Sequence, residues 1–527
     1  MADLLLILVL APSAAGCWSW ARRRQPAATP PVTAMGAAVA MAVALALGFL
    51  VARGERPQLG PAEAPWLRAD PLGVAMALLV AVLGVTILTY AARNLEGDAL
   101  AWRFSAVANG VLASTLLSSV AGRLSVLVVA WVLTSVGVLA LIAYRSDGVS
   151  RAAARRAGIA LGLGDAALLG GLAIALGTIG DPDLAQVGAA AADLGARDLS
   201  VLGLAQVDAA TVMGLLLVLA AAARASQLPF PLWLPGTLAA PTPVSALLHA
   251  GAVNAGGFLL VRLNPVLAES AVAPVTLAVI AVATMVVAGG AALIRTDVKG
   301  ALATSTSAQM GFMLLAVAVG APLAAITHLI GHSLYKASRF LGAGEAITAA
   351  RVARRHHPRR TGAVGWRVVL SLAVPAAVFA AIAALVDPSV LHDGEGWIIG
   401  VAVGAVGVRA TWAWLGRGPL GPARVAGAAL GFSVALLVYF GLLVVLDHLL
   451  RTSLTFAVGA SVDARWALAA LLLAAAVGSA GARWPRTSPW VVASLSAAGC
   501  APAPPRRRPS RPRVPRETGT PVLEGAW

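Results

Sequence analysis

Apolar runs of about twenty residues alternate along the chain with short polar segments, and a run of that length spans a bilayer as an α-helix. The pattern predicts spans at residues 3–20, 34–52, 72–92, 104–121, 124–144, 156–179, 209–224, 241–262, 272–294, 300–320, 323–347, 366–386, 396–416, 424–449 and 464–480. The fold class expected from this pattern is therefore an all-α, polytopic membrane protein of about 14–15 transmembrane helices.

Composition strengthens this prediction. The 527 residues are 59% hydrophobic and 12% charged, whereas soluble domains are about one quarter charged. The net charge of +16 does not indicate nucleic-acid binding, because the basic residues lie between apolar runs and no zinc finger, RNA-binding signature or P-loop occurs. Cys17 and Cys500 lie at opposite ends of the chain without metal-ligand spacing. No quinone, flavin or iron–sulfur motif occurs, so we expect no cofactor.

Charged residues outside the spans predict an orientation, since cytoplasmic loops are enriched in Lys and Arg. Arginines follow the first, fifth and eleventh spans: Arg22, Arg23, Arg24, Arg145, Arg151, Arg155, Arg156, Arg351, Arg354, Arg355, Arg359 and Arg360. Acidic residues follow the sixth and twelfth: Asp181, Asp183, Asp193, Asp198, Asp208, Asp387, Asp393 and Glu395. We expect the chain to lie in the cell inner membrane. If successive spans cross it in alternating directions, the N-terminus lies outside and the C-terminus lies in the cytoplasm. The first span resembles a signal peptide, but its arginines follow the apolar run, which favours a retained helix.

Ionisable residues inside predicted spans are costly and usually mark ion paths. They are Asp165, Arg224, His249, His328, His332, Lys336, Glu345 and Arg409. Three of them, His328, His332 and Lys336, are spaced by four, so they lie on one helix face over about 12 Å. Neutral imidazole can relay a proton, and a buried lysine can release one, whereas arginine stays charged.

Two other interpretations of this face remain open. The histidines could be hydrogen-bonded core residues, or a pair of zinc ligands, although no third ligand follows in the metalloprotease pattern. Lysine occurs only at Lys299 and Lys336 in a chain that otherwise uses arginine, and this favours a proton relay at Lys336. Lys299 lies beside Asp297 at a span entrance, where snorkelling or interfacial pairing is expected.

Five prolines interrupt the chain after the seventh span: Pro229, Pro231, Pro235, Pro241 and Pro243. Proline breaks helices, and broken helices line ion sites in many transporters. The segment therefore indicates either a broken helix near an ion site or an ordinary interfacial loop.

Three ordered sequence blocks resemble the large antiporter-like subunits of respiratory complex I, Mrp-type antiporters and related transporters. They run from Arg224-Ala-Ser-Gln-Leu-Pro to the His249 motif Pro-Thr-Pro-Val-Ser-Ala-Leu-Leu-His, then Asp297-Val-Lys-Gly-Ala-Leu-Ala-Thr-Ser-Thr-Ser-Ala-Gln, then His328-Leu-Ile-Gly-His-Ser-Leu-Tyr-Lys. The form His249-Ala-Gly-Ala-Val-Asn-Ala-Gly-Gly is most similar to the DabB-type membrane subunit of inorganic carbon transporters.

The resemblance implies two inverted five-helix repeats. The expected division is N-terminal helices in 1–100, repeats in 101–265 and 266–420, C-terminal helices in 421–485, and a basic Pro/Arg-rich cytoplasmic tail in 486–527 that contacts anionic lipid or is simply solvated.

The sequence also departs from its relatives. Val132 replaces their fifth-span glutamate, Arg224 replaces a titrating lysine, and 387–397 lack the lysine of the second repeat. These departures favour a single proton path over a complete two-channel pump, with Asp165 as a remaining carboxylate.

Three functions are compatible with this resemblance. The first is the proton-conducting subunit of an inorganic carbon transporter, whose family pairs it with a large soluble, zinc-bearing, carbonic-anhydrase-like subunit of the DabA type. The second is an antiporter-like subunit of complex I (NADH-quinone oxidoreductase) or of an Mrp antiporter, and the third is a membrane scaffold. In the first two, the resemblance implies a proton path through Lys336, His332, His328, His249, Asp165 and Arg224. The chain itself is not expected to be an enzyme.

Overall fold

The computed structural model describes ten parts of the chain. They are residues 1–23, 32–145, 147–201, 205–230, 233–295, 297–344, 364–383, 395–416, 421–450 and 453. Glu345, the predicted span at 464–480, the second-repeat residues 387–394 and the Pro/Arg-rich tail lie outside the described residues.

Helices form the membrane region of the described chain, as the apolar pattern predicts. They are α1 (Ala2–Ala21), α2 (Val32–Ala52), α3 (Pro71–Asn94), α4 (Ala101–Ser119), α5 (Leu124–Ile142), α6 (Gly148–Thr178), α7 (Val187–Gly195), α8 (Ala209–Arg224), α9 (Thr242–Ala250), α10 (Ala255–Arg262), α11 (Asn264–Ala268), α12 (Ala273–Ile294), α13 (Val298–Ala318), α14 (Pro322–Leu341), α15 (Val364–Ala383), α16 (Glu395–Leu415) and α17 (Pro422–Leu450). Two short antiparallel hairpins lie between helices, β1 (Gln58–Leu59) with β2 (Leu67–Arg68) and β3 (Asp198–Val201) with β4 (Ala205–Asp208).

The predicted spans within the described residues all coincide with helices, so the fold class is confirmed. Nine helical segments of the described chain are long and apolar enough to cross a membrane. One of these, Thr242–Arg262, is divided by a short irregular turn into α9 and α10. Helix α14 is not among the nine, because its histidines and lysine lower its hydropathy. The division into two inverted repeats stays a prediction.

Aspartate side chains begin four of the helices. Asp70, Asp147, Asp208 and Asp297 each accept a hydrogen bond from the backbone N–H three residues later, at 2.6–2.7 Å. Each carboxylate satisfies an amide that the first helical turn leaves unpaired, and its negative charge is favourable at the helix N-terminus. The helix boundaries of α3, α6, α8 and α13 follow directly from these residues.

The described chain between α8 and α9 is irregular and mostly buried, and several of its polar groups find partners within the protein. Ser226 has a left-handed backbone conformation (φ 54°) that turns the chain away from α8. The Gln227 amide donates to the carbonyls of Ala225 and Ser307, at 2.8 and 3.0 Å. The Trp233 indole donates to Ala223 O at 2.9 Å, which satisfies a carbonyl at the end of α8. These contacts support the prediction of a broken helix, since irregular backbone is tolerated at membrane depth only where protein or water covers it.

A buried ion pair joins three helices at the end of the bundle where α3 begins. Arg262, at the end of α10, contacts Asp70 at 2.5 Å and donates to Ser119 O at 3.1 Å. The Arg262 side chain is 6% exposed and the Asp70 side chain is 18% exposed. Because Asp70 also caps α3, one carboxylate fixes the start of α3 against the ends of α4 and α10.

We predict that Arg262→Ala destabilises the protein by about 3–5 kcal/mol, because it leaves the Asp70 carboxylate buried without its cation. Thermal unfolding in detergent measures the effect. Arg93→Ala, at the opposite and exposed end of α3, is the matched control and should change stability little. Equal melting temperatures for the two variants would contradict the assignment.

Candidate proton path

The buried face of α14 carries the three residues that the sequence places together. His332 and Lys336 are 4% and 0% exposed, and His328 lies one turn before them. The rings of His328 and His332 have centroids 5.9 Å apart. The predicted alignment of the three side chains on one helix face is therefore present in the structure.

Lys336 is held by two neutral acceptors. Its Nζ donates to Leu302 O at 3.0 Å and to Ser305 Oγ at 2.7 Å, both on α13. Among the described residues, no carboxylate forms an ion pair with it. An ammonium group has three N–H donors, and a neutral amine has two and a lone pair. Both bonds can therefore be made in either charge state, which suits a group that gains and loses a proton.

His249 lies on α9, close to the contacts of Lys336 on α13. Its Nδ1 is 3.2 Å from Thr306 Oγ1, and its ring stacks on Phe340 at 4.5 Å. Thr306 donates its own hydroxyl proton to Leu302 O at 2.9 Å, so Thr306 Oγ1 accepts from His249 Nδ1–H. In the neutral ring this leaves His249 Nε2 with a lone pair, and that buried atom has no hydrogen-bond partner among the described residues.

The break between α9 and α10 exposes a carbonyl to His332. The irregular turn Ala252–Asn254 follows α9, and His249 O accepts from His332 Nε2 at 3.2 Å. A carbonyl can only accept, so Nε2 carries the proton and His332 Nδ1 has the lone pair; within the described chain this buried atom is also unpartnered. Asn254 stabilises the break by donating to Ala250 O at 2.6 Å and to Ser333 Oγ at 2.7 Å.

His328 lies at the other end of the histidine–lysine cluster, which we define as His249, His328, His332 and Lys336. Its ring packs against Phe312 of α13 at 4.9 Å. It also lines a cavity of about 470 Å³ between α13, α14, α16 and α17, together with Thr411 and Tyr439. The cluster therefore extends from the α13 contact of Lys336 to this cavity.

The arginine–aspartate pair, Arg224 and Asp165, forms a second polar site. Arg224 is 1% exposed, and its Nη2 donates to Ser135 Oγ at 2.6 Å and Trp131 O at 3.1 Å, and lies 3.5 Å from Asp165 Oδ1. Asp165 also accepts from Trp131 Nε1 at 2.9 Å and Ser135 Oγ at 2.8 Å. The guanidinium stacks over the Trp131 ring, with Cζ 4.2 Å from its centroid. Arg224 is therefore enclosed by the protein and does not snorkel to the interface.

One turn of α13, residues 304–307, contacts the histidine–lysine cluster and also the chain just after Arg224. We call it the hydroxyl turn. Ser305 contacts Lys336 and Thr306 contacts His249. Ser307 donates to Ser226 Oγ at 3.3 Å, and Ser226 follows Arg224 by two residues in the chain. Consecutive hydroxyl groups on a helix point in different directions, so this single turn reaches α14, α9 and the end of α8.

The sequence analysis did not predict a role for the hydroxyl turn of α13. The signal was present, because four consecutive hydroxyl residues inside an apolar span are unusual: Thr304, Ser305, Thr306 and Ser307. The neighbourhood of Lys299 was also not foreseen in detail, and its expected snorkelling or interfacial pairing stays a prediction. Asp297 caps α13 and lies 3.7 Å from Arg295, while Lys299 is half-buried one turn before Leu302.

Tyr144 is buried just after α5. Burial raises the pKa of Tyr144 above its usual range, and the nearby Asp98 carboxylate raises it further. Tyr144 is therefore neutral at physiological pH.

A model of the family described as NADH:quinone oxidoreductase/Mrp antiporter, transmembrane, matches residues 121–386. The chain belongs to this family. The matched region contains every residue of the histidine–lysine cluster and of the arginine–aspartate pair. The family membership and the resemblance noted from the sequence blocks agree.

Similar proteins are about one third identical to the chain over the aligned regions. A probable inorganic carbon transporter subunit DabB2 of Halothiobacillus neapolitanus is 31% identical over 71% of this chain and 69% of the relative. A probable DabB of Bacillus subtilis is 34% identical over 56% of each protein, so the chain spans little more than half of that relative. NADH-quinone oxidoreductase subunit L of Mycobacterium tuberculosis is 32% identical over 65% of this chain and 53% of the relative.

Two solved structures share the fold. The Mrp complex of Dietzia sp. DQ12-45-1b matches with a TM-score of 0.62 and 24% identity, over 94% of this chain and 58% of that one. The membrane-bound sulfane sulfur reductase, an archaeal respiratory membrane complex, matches with a TM-score of 0.58 and 17% identity, over 94% of this chain and 98% of that one. Both confirm the antiporter-like arrangement of helices.

We predict that Arg224 and Asp165 are energetically coupled. Arg224→Met should destabilise the protein by about 3–5 kcal/mol, because it leaves the largely buried Asp165 carboxylate without its cation, whereas Arg224→Met with Asp165→Leu should recover much of that loss. Thermal unfolding of the wild type, both single variants and the double variant gives the coupling energy. If the two single effects simply add, the pair does not exist as described.

Proposed function

We propose that this chain is the proton-conducting membrane subunit of an inorganic carbon transporter. The similarity to relatives named probable DabB subunits supports the transporter class. The observation that carries the conduction role is the site of Lys336, a fully buried lysine with two neutral acceptors and a row of histidines beside it. Such a site suits a lysine that exchanges its proton better than one that stays permanently charged.

Proton movement through the cluster uses the free lone pairs. Lys336 gives a proton to water or imidazole and keeps its two α13 contacts as a neutral amine. His249 Nε2 and His332 Nδ1 accept in turn, since both are buried and neither has a partner in the described part of the chain. Buried polar atoms of this kind are normally satisfied by ordered water, and water between them completes the relay. His328 then exchanges the proton with the cavity beside α16 and α17.

Arg224 serves as a fixed charge in this proposal. Guanidinium stays protonated at any workable pH, so Arg224 cannot pass protons on as a lysine can. Its bonds to Trp131 O and Ser135 Oγ, and its proximity to Asp165, hold it between α5, α6 and α8. It sets the electrostatic potential beside the hydroxyl turn of α13, and Asp165 balances it. The proposal is therefore a single proton path rather than a complete two-channel pump.

The proposed setting is the cell inner membrane, with the N-terminus outside and the C-terminus in the cytoplasm. The arginines at 22–24 and 145–156, on the side opposite Asp181 and Asp183, support this orientation. The proposed partner is a large soluble, zinc-bearing, carbonic-anhydrase-like subunit that supplies the chemistry, since this chain offers a proton path and its family is one of membrane subunits.

A second candidate function is that of an antiporter-like subunit of complex I or of an Mrp antiporter. The similarity to NADH-quinone oxidoreductase subunit L and to a probable K(+)/H(+) antiporter protein of Rhizobium meliloti favours it. The replacement of a titrating lysine by Arg224 argues against it, because lysine-to-lysine transfer along the full path is then interrupted.

We predict that Lys336→Arg lowers proton flux by about 10²-fold, as expected when a proton-transfer group is lost. Arginine keeps the positive charge but does not release its proton. The measurement is proton uptake into liposomes containing the purified protein under an imposed potential, with Lys336→Met as a second variant of similar volume. Lys299→Arg, at the only other lysine, is the control and should conduct normally. Wild-type flux in Lys336→Arg would disprove a titrating lysine.

We also predict that the protein co-purifies with a large zinc-containing soluble subunit from its native membrane. Mild solubilisation followed by affinity purification, protein identification and metal analysis tests this partner. The carbon-transporter assignment requires zinc in the complex at a constant ratio to this chain. Recovery of peripheral respiratory-chain subunits without zinc protein would instead support the second candidate.

A further inference from the structure

A deep apolar groove opens on the side of the bundle away from the histidine–lysine cluster. It has a volume of about 970 Å³ and lies between α2, α3, α14 and α17. Its walls are aliphatic and aromatic, with Phe49, Leu78, Val82 and Leu446 among the lining residues. This volume lies at the upper end of the range for small-molecule sites, and the walls suit hydrocarbon.

The groove has the depth of one bilayer leaflet. On α3 its lining runs from Pro71, the first helical residue, to Val82. At 1.5 Å per residue this is about 16 Å, or half of a hydrocarbon core of about 30 Å. The inner end of the groove is formed by Ile330 and Leu334, near the middle of α14.

The rim of the groove, at the interface end, is basic. Arg56 and His448 line it, and the Arg53 guanidinium lies 5.6 Å from the ring of Phe49. Arg56 Nη1 donates back to Val51 O at 3.2 Å and Glu55 O at 3.0 Å, which holds its guanidinium at the end of α2. Arg53 and Arg56 place two guanidinium groups on either side of the exposed carboxylate of Glu55 along the chain, so this stretch of the rim attracts a phosphate group.

We propose that this groove binds one anionic phospholipid of the leaflet at the α3 N-terminal face. The headgroup phosphate contacts Arg53 and Arg56, and the acyl chains fill the groove down to Ile330 and Leu334. A basic rim above an apolar groove of leaflet depth matches the two parts of a lipid, and a helix from another protein would not need the basic rim.

The bound lipid supports α14 from behind. Leu334 is two positions from both His332 and Lys336, so it points about 200° away from them around the helix. Acyl chains packed on Ile330 and Leu334 therefore press α14 toward α13, where Lys336 meets Ser305. The lipid is a structural ligand of the helix that carries the proposed proton path.

Native mass spectrometry of the purified full-length protein tests the proposal, with phosphatidylglycerol or phosphatidylcholine added back after delipidation. The wild type should retain phosphatidylglycerol in preference. Arg53→Gln with Arg56→Gln should lose that preference, by about fivefold in affinity for each arginine. Ala75→Phe, which places a ring in the groove, should lose both lipids. Arg93→Gln, at the other end of α3, is the matched control and should behave as wild type.

A photo-crosslinking residue at Leu78 identifies the occupant directly, even where a variant is unstable. Crosslinking to phospholipid supports the proposal, and crosslinking to another polypeptide or to a different part of this chain overturns it. Unchanged phosphatidylglycerol preference in the double arginine variant also overturns it. These readouts do not use transport, so they are independent of the proposed function.

Discussion

A polar group inside the bilayer core must find its partners within the protein or in enclosed water, because lipid offers none. The contact of Lys336 with Leu302 O and Ser305 Oγ is the local solution on which the site depends. It fixes α14 against α13 without a counter-charge from the described residues, and so it permits both protonation states. A carboxylate in the same place would have stabilised the ammonium form and opposed proton release.

The same requirement explains the irregular backbone around the site. The break after α9 frees the carbonyl of His249 for His332, and Asn254 compensates for part of the lost helical bonding. The end of α8 is satisfied by Trp233. Helix breaks are therefore part of the polar network, and their cost is offset by bonds that a regular helix could not make.

The sequence predicts the described helices and the buried face of α14 well, because both follow from local periodicity: apolar runs give the spans, and a spacing of four gives the alignment of His328, His332 and Lys336. It does not predict the partners of that face. Ser305 meets Lys336 across 31 residues, and Arg262 meets Asp70 across 192. Such contacts depend on how helices pack, and helical periodicity does not specify which neighbour a polar side chain will meet.

The central claim is that Lys336 gains and loses a proton while it stays buried. Because the chain has only two lysines, nitrogen-15 labelling of lysine side chains gives two Nζ signals in solid-state NMR of the protein in lipid, and Lys336→Met assigns them. The account predicts that the Lys336 signal changes between ammonium and amine positions as the pH is raised through the range in which the protein conducts. An ammonium signal that persists throughout that range, while conduction continues, would contradict it.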